Sequence, residues 1–212
     1  EQRSVVGLLS GITVVDLATP WGEYAGRLLA DLGATVLKVE PPGGAAARSM
    51  PPFDERPGAE GRSLYWDTVA AGKQAYTADI TTPEGREAVL SLARGADVLV
   101  ESFAPGTMEA LGLGYEVLAE MNPRLVHVSV TPYGQTGPKA NWPATELTIE
   151  AASGRMARQG DGDRPPIPIG FPQAAFHAGS QAAADAVIAL NERERSGRGQ
   201  HLDVSAQAAM VW

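Results

Sequence analysis

Cysteine is absent from all 212 residues, which excludes disulfides, thiolate metal sites and a cysteine nucleophile. Histidine is scarce, and His127, His177 and His201 lie too far apart in the chain to suggest a zinc site, so no metal is expected. No apolar run reaches the length that spans a bilayer, and nothing resembles a secretory or transit segment. A cytoplasmic protein without a membrane anchor is the expectation. Positive charge is in the minority: 17 Lys and Arg against 25 Asp and Glu give a net charge of -8, a field that repels nucleic acid. A glycine fingerprint for a dinucleotide is missing too. The first βα turn reads Ala18-Thr19-Pro20-Trp21-Gly22-Glu23, not G-x-G-x-x-G, so a generic doubly wound domain is favoured over a nicotinamide site. What is present is 44% hydrophobic residues, enough for one domain with a sizeable core.

The core signal is alternation of strand and helix. Gly11 to Leu17 reads as a first strand, Tyr24 to Leu32 as a helix closed by Gly33, and Thr35 to Glu40 as a second strand. Pro41 to Arg62 is a Pro-, Gly- and charge-rich excursion too long for an ordinary connector, and Ala75 to Asp79 a further strand. Thr82 then caps a helix with Pro83 at its first position, and Gly95 stops it. The run Asp97 to Glu101, apolar with charged ends, fits a strand buried on both faces of a parallel sheet. A helix Tyr115 to Met121 and a strand Leu125 to Val130 repeat the unit. Thr145 to Ala152, and Pro172 to about Arg195, are helical, the latter alanine-rich and ending at Ser196-Gly197. Gly199 to Ser205 is the last strand. Such alternation gives right-handed crossovers and a Rossmann-like parallel sheet with helices on both faces.

Loops at the carboxyl ends of strands are where such sheets bind ligands. The loop Ser102 to Gly106 and the loop Thr131 to Pro138 therefore face one crevice. An anionic small ligand needs a local basic pocket in so acidic a chain, and Lys38, Arg62, Lys73 and Lys139 are the candidates. Taken alone, Lys73 reads as a solvated surface lysine. Asp161-Gly162-Asp163 resembles a fragment of a calcium loop but lacks the remaining ligands, and reads as a turn. Glu1 in place of methionine, and Trp212 only a few residues beyond the last strand, give the expectation that the chain is a piece of a longer protein.

Several blocks, in order, resemble the family III CoA-transferases, the group of formyl-CoA transferase, carnitine CoA-transferase and α-methylacyl-CoA racemase. They are GITVVDL, YAGRLLADLGATVLKVEPPGG, DITTPEGREAVLSLARGADVLVESFAPG, LGLGYEVLAEMNPRLVHVSV, YGQTGP and RSGRGQHLDVS. The resemblance implies that residues 1–212 are the amino-terminal part of the family's large domain, without its small domain. It also implies an interlocked dimer, or pairing with a second transferase unit of the same polypeptide. CoA or acyl-CoA would be a substrate rather than a tightly bound cofactor, and a carboxylic acid the acceptor.

Carried over residue by residue, the resemblance leaves the scaffold intact and the chemistry eroded. The family's nucleophilic aspartate follows a G-x-P turn and precedes a glycine by four residues; Gly170-Phe171-Pro172 and Gly179 put that position at Ala175, whose methyl cannot attack a thioester. The racemase histidine position is Thr145, followed by Glu146. His177 is a weak substitute candidate, better read as a locally hydrogen-bonded helix residue, and Glu23 and Glu150 have no more support. The CoA-binding positions implied are Pro20, Trp21, Lys73, Gln74, Ser102 and Phe103. Gln74 replaces an arginine, Ser102 an asparagine and Ala110 another arginine. Trp21-Gly22-Glu23 replaces A-G-P, setting a bulky ring and a negative charge where the nucleotide would pass. Three functions are thus weighed: a portion of a CoA-transferase without its nucleophile, a non-catalytic acyl-CoA-binding or architectural subunit, and, disfavoured, a nicotinamide enzyme.

Overall fold

The fold is seen in a computed structural model that describes residues 7–211; Glu1 and Trp212 lie outside the described residues. Six parallel strands form one sheet: β1 (Thr13–Asp16), β2 (Thr35–Glu40), β3 (Lys73–Thr77), β4 (Val98–Glu101), β5 (Val126–Thr131) and β6 (His201–Ser205). Their order is β3-β2-β1-β4-β5-β6. The chain builds outward from β1 to β3, returns to lay β4 against the other side of β1, and builds outward again. The order reverses between β1 and β4, and a crevice opens there at the carboxyl ends. Both β4 and β5 are buried along their whole length, as the apolar run of β4 predicts.

Among the described residues there are eight α-helices: α1 (Glu23–Asp31), α2 (Leu64–Ala70), α3 (Pro83–Arg94), α4 (Thr107–Ala110), α5 (Tyr115–Met121), α6 (Glu146–Ala152), α7 (Gln173–Ser196) and α8 (Ala206–Ala209). Val14, Val36, Val98, Val128 and Val204 point to one face, where they meet Leu29 of α1, Ile149 of α6 and the alanines of α7. Val15, Leu17, Val39 and Leu99 point to the other, against Val89 of α3, Met108 of α4 and Leu118 of α5. The period of two along each strand produces this division.

Local signals act as read. Thr82 Oγ1 accepts the Gly85 N–H at 3.0 Å and α3 begins at Pro83; α7 ends at Gly197 in the left-handed region. Two expectations are corrected. The third strand lies two residues earlier than Ala75 to Asp79, because Lys73 to Thr77 pairs with Val36 to Glu40 and carries Lys73 inward. Helix α2, which the sequence does not announce, is capped by Ser63, whose Oγ accepts the Trp66 N–H at 3.0 Å, and buries Tyr65 and Val69. Its ring-rich stretch blurs the helical period.

Candidate ligand site at the strand switch point

Over the carboxyl ends of β1, β2 and β3, closed on the β4 side by Phe103, lies a cavity of about 310 Å³. Pro20 from the β1 loop, Lys38 from β2, Ala45 and Ala46 from the excursion, Ile80 after β3 and Phe103 from the β4 loop line it, and its surface is largely apolar. The long Pro41 to Arg62 excursion folds a single 3-10 turn, Ala46–Ser49, over this mouth. Arg48 anchors it: its guanidinium bonds both Glu40 carboxylate oxygens at 2.7 and 2.9 Å and lies 4.2 Å above the Trp66 ring.

Four ionisable side chains are buried together here, Glu23 and Lys38 at the cavity wall and Asp16 and Lys73 behind them. Asp16 is fully buried at the end of β1. Lys73 Nζ donates to Asp16 Oδ2 at 2.6 Å and to the Glu23 carbonyl at 2.6 Å, while Lys38 Nζ stands 3.3 Å from Asp16 Oδ1 and 3.7 Å from Glu23 Oε1. Lys38 also donates to the Ala18 carbonyl. Burial alone would raise the Asp16 pKa, but the two lysines outweigh it and hold it below the ordinary carboxylate value. Glu23 has the reverse balance: burial dominates, Lys38 compensates in part, and its carboxyl is pushed up to about 7. One of its oxygens, Oε2, has no hydrogen-bond partner. With Glu23 ionised the cluster is neutral; with Glu23 protonated it carries one net positive charge.

Ser102 Oγ accepts the Thr19 N–H at 2.7 Å and lies 2.7 Å from Thr19 Oγ1, so it stitches the β1 loop to the β4 loop across the switch point. Glu101 Oε2 accepts the Phe103 N–H at 2.7 Å, fixing the ring that lines the cavity. Burial pushes the Glu101 carboxyl up to about 7, despite hydrogen bonds from Ser129 and from that amide.

The first turn of α7 stands beside this site. Phe176 packs on Tyr24 and on Tyr65, with ring centroids 4.5 and 6.1 Å apart, and Tyr65 Oη lies 3.4 Å from the Pro20 carbonyl. Ala175 is buried, and its N–H is held by Glu146 Oε1 at 3.0 Å while Glu146 Oε2 takes the Ala174 N–H at 2.8 Å. A carboxylate already occupies the positive end of α7.

Of the six binding positions implied by resemblance, Pro20 and Phe103 meet in the cavity and Ser102 braces it. Gln74 is exposed on β3, and neither it nor Lys73 borders the cavity. Lys73 is not a solvated lysine: its side chain is 2% exposed and committed to Asp16. Of Trp21 and Glu23, only Glu23 borders the cavity. Trp21 packs on the core formed by α1 and α7, and Glu23 turns down to Lys38. Among the other basic candidates, Arg62 pairs with Asp67 at 2.6 Å, and Lys139 Nζ sits 5.5 Å from the Trp142 ring centroid. His177 is half-buried on the Arg155 side of α7, and Glu150 accepts the Ile169 N–H at 3.2 Å. Sequence reading passed over Asp16. A carboxylate closing an otherwise apolar strand, with Lys38 at the matching register of the neighbouring one, was the available signal, since buried charges demand partners.

The switch-point cavity, flanked by a braced loop and a long helix, defines a doubly wound ligand-binding α/β domain. More specifically, the chain belongs to CoA-transferase family III, whose family model matches residues 9–212. It is 42% identical over 185 residues to succinyl-CoA–D-citramalate CoA-transferase of Chloroflexus aurantiacus, covering 86% of this chain and 45% of that protein. It is also 42% identical over 198 residues to the BbsE subunit of succinyl-CoA:(R)-benzylsuccinate CoA-transferase of Thauera aromatica, covering 92% and 48%. The crystal structure of a CAIB/BAIF family protein from Brucella suis superposes with a TM-score of 0.89 at 38% identity, over 96% of this chain and 54% of that one. The chain thus spans about half the length of these relatives.

Proposed function

We propose that the protein to which this chain belongs moves CoA between an acyl-CoA thioester and a carboxylic acid, and that residues 1–212, as the amino-terminal part of the large domain, hold CoA without supplying the nucleophile. In such a transfer a carboxylate attacks the thioester carbonyl, the C–S bond breaks and CoA leaves as thiolate. The thiolate then attacks the enzyme-side carbonyl of the resulting anhydride, releasing the donor acid and leaving CoA on the enzyme as a thioester. An acceptor carboxylate reverses the exchange.

The observation that carries the reading is Ala175. It lies in the first turn of α7, beside the cavity, and its methyl has no lone pair to offer. Its amide, which would otherwise be available to a developing oxyanion, is bonded to Glu146. A carboxylate for the exchange therefore comes from another unit, either a second transferase unit of the same polypeptide or a partner chain in an interlocked dimer. The cavity, at about 310 Å³, suits an apolar portion of the CoA arm rather than its phosphates, because Lys38 and Lys73 are already spent on Asp16 and Glu23. CoA enters as a substrate. Citramalate and benzylsuccinate, named for the two relatives, are both dicarboxylic acids, which favours an acceptor of that class. Among the described residues no helix is long and apolar enough to cross a membrane.

A second reading, a non-catalytic acyl-CoA-binding or architectural subunit, is favoured by one specific observation: the relative from Thauera aromatica is named as a subunit. Calorimetric titration of the full-length protein with CoA tests the shared claim. Removing the Phe103 ring is expected to weaken CoA roughly tenfold, by loss of about 1–2 kcal/mol of apolar contact. No binding by the unaltered protein, or an unchanged Kd for Phe103→Ala, would remove the cavity from the account.

A further inference from the structure

One polar side chain at the wall of the cavity is left over once the others are matched. Thr19 Oγ1 lies 2.7 Å from Ser102 Oγ, and at the exposed rim Thr81 Oγ1 donates to Asp79 Oδ1 at 2.6 Å. Lys38 Nζ faces Asp16 Oδ1 at 3.3 Å and donates to the Ala18 carbonyl. Glu23 also borders the cavity and is 1% exposed; its Oε1 stands 3.7 Å from Lys38 Nζ, and its Oε2 has no partner among the described residues. A buried carboxyl oxygen without a donor is costly in a fold that satisfies its neighbours, which points to a donor that arrives with a ligand. The residue is also a departure from the scaffold: the first βα turn reads Trp21-Gly22-Glu23 where the resemblance implies A-G-P. An acceptor therefore stands where a proline would offer none.

The charges around Glu23 decide what such a donor does. Asp16 from β1, Lys38 from β2 and Lys73 from β3 act on it, and Tyr65 of α2 is the titratable neighbour outside the sheet. Burial raises the Glu23 carboxyl to about 7, so close to neutral pH it has a proton to yield. Protonated, it leaves the cluster with one net positive charge; ionised, it makes the cluster neutral. An apolar ligand that fills the cavity strips water from the wall, and a dry wall favours the neutral cluster. A donor on Oε2 acts in the same direction, because a carboxylate accepts a hydrogen bond more strongly than a carboxylic acid does. The arm of CoA has the matching chemistry, an apolar chain interrupted by secondary amides. We infer that Glu23 Oε2 accepts an amide N–H of the CoA arm, and that Glu23 yields its proton to solvent as the arm seats. The inference rests on the reading that the cavity holds CoA, and adds to it a residue that selects for the amide-bearing arm and links its binding to a proton.

The test is calorimetric titration of the full-length protein with CoA and with S-methylpantetheine, in buffers that differ in ionisation enthalpy. S-methylpantetheine keeps the amides of the arm and has no ionisable group, so any proton released comes from the protein. At about pH 6.5 roughly half a proton or more should be released per S-methylpantetheine bound, and its Kd should fall roughly fivefold or more from about pH 6 to about pH 8. Glu23→Gln keeps an acceptor oxygen but has no proton to yield, so its binding should release none and lose that pH dependence. Glu23→Leu, which leaves no acceptor, should weaken S-methylpantetheine roughly tenfold at about pH 8. The same variant should hold adenosine 3′,5′-bisphosphate, the nucleotide end of CoA, within about twofold of the parent. Proton release by the unaltered protein stands as a test however the variants fold. Binding of the arm without proton release, release that survives Glu23→Gln, a loss in Glu23→Leu confined to the bisphosphate, or CoA binding without S-methylpantetheine binding would overturn the inference and keep the CoA reading. Failure of both CoA and S-methylpantetheine to bind would overturn the two together.

Discussion

The most consequential residues are the four buried charges under the cavity. Because the folded-state pKa of Glu23 is raised from 4.5 to about 7, the folded protein binds a proton that the unfolded chain has released between those values. Glu23 therefore contributes stability that is greatest below about pH 4.5 and falls as pH rises toward 7, by up to about 3 kcal/mol. Glu23→Gln should flatten that part of a urea-denaturation profile, and an unchanged slope would show that Glu23 is ionised in the fold throughout. His127 acts in the opposite sense: burial, reinforced by His201, lowers it to about 3, so its share of stability is lost as pH falls from 6.5 toward 3. Removing Lys73 leaves Asp16 half-paired in a dry site. Lys73→Met is expected to cost about 3–5 kcal/mol in denaturant unfolding, and a cost below about 1 kcal/mol would mean that Asp16 does not need it.

Among the elements, the contact between α1 and α7 decides where the α7 turn sits. A Cβ at Gly179 would come 2.8 Å from Tyr24 Cβ and 3.0 Å from the Ala25 nitrogen, and one at Gly26 would collide with Asp16 Oδ2. Gly179→Val should cost about 1–3 kcal/mol by overpacking, and it should also displace Phe176 from Tyr24, which a change in near-ultraviolet circular dichroism would report. A variant of parental stability would deny that the helices touch there. This scale also shows what was legible in the sequence. Strands β1, β2, β4, β5 and β6 and helices α1, α3, α5, α6 and α7 could be read from apolar period, helped by the capping threonines of α3 and α6 and by the glycines that end α3 and α7. Helix α2 and the placement of β3 could not, because Tyr65 and Lys73 take their roles from partners far along the chain. The same distinction holds at the site. Phe103 and Pro20 follow from loops at strand ends, but the commitment of Lys73 to Asp16 is a contact across 57 positions, and no local pattern encodes it.

At the scale of the molecule, a sheet that reverses at β1 and β4 provides a largely apolar crevice of about 310 Å³, and the first turn of α7 carries Ala175 where the resemblance implies a carboxylate. The account's central claim is that this chain is the non-nucleophilic part of a CoA-transferase. Its most direct test is to incubate the full-length protein with an acyl-CoA, trap any acyl-enzyme with hydroxylamine, and map the modified carboxylate by mass spectrometry. The prediction is a single modified aspartate or glutamate outside residues 1–212, on the same polypeptide or a partner. Modification of a carboxylate within residues 1–212, Glu146 included, would contradict it.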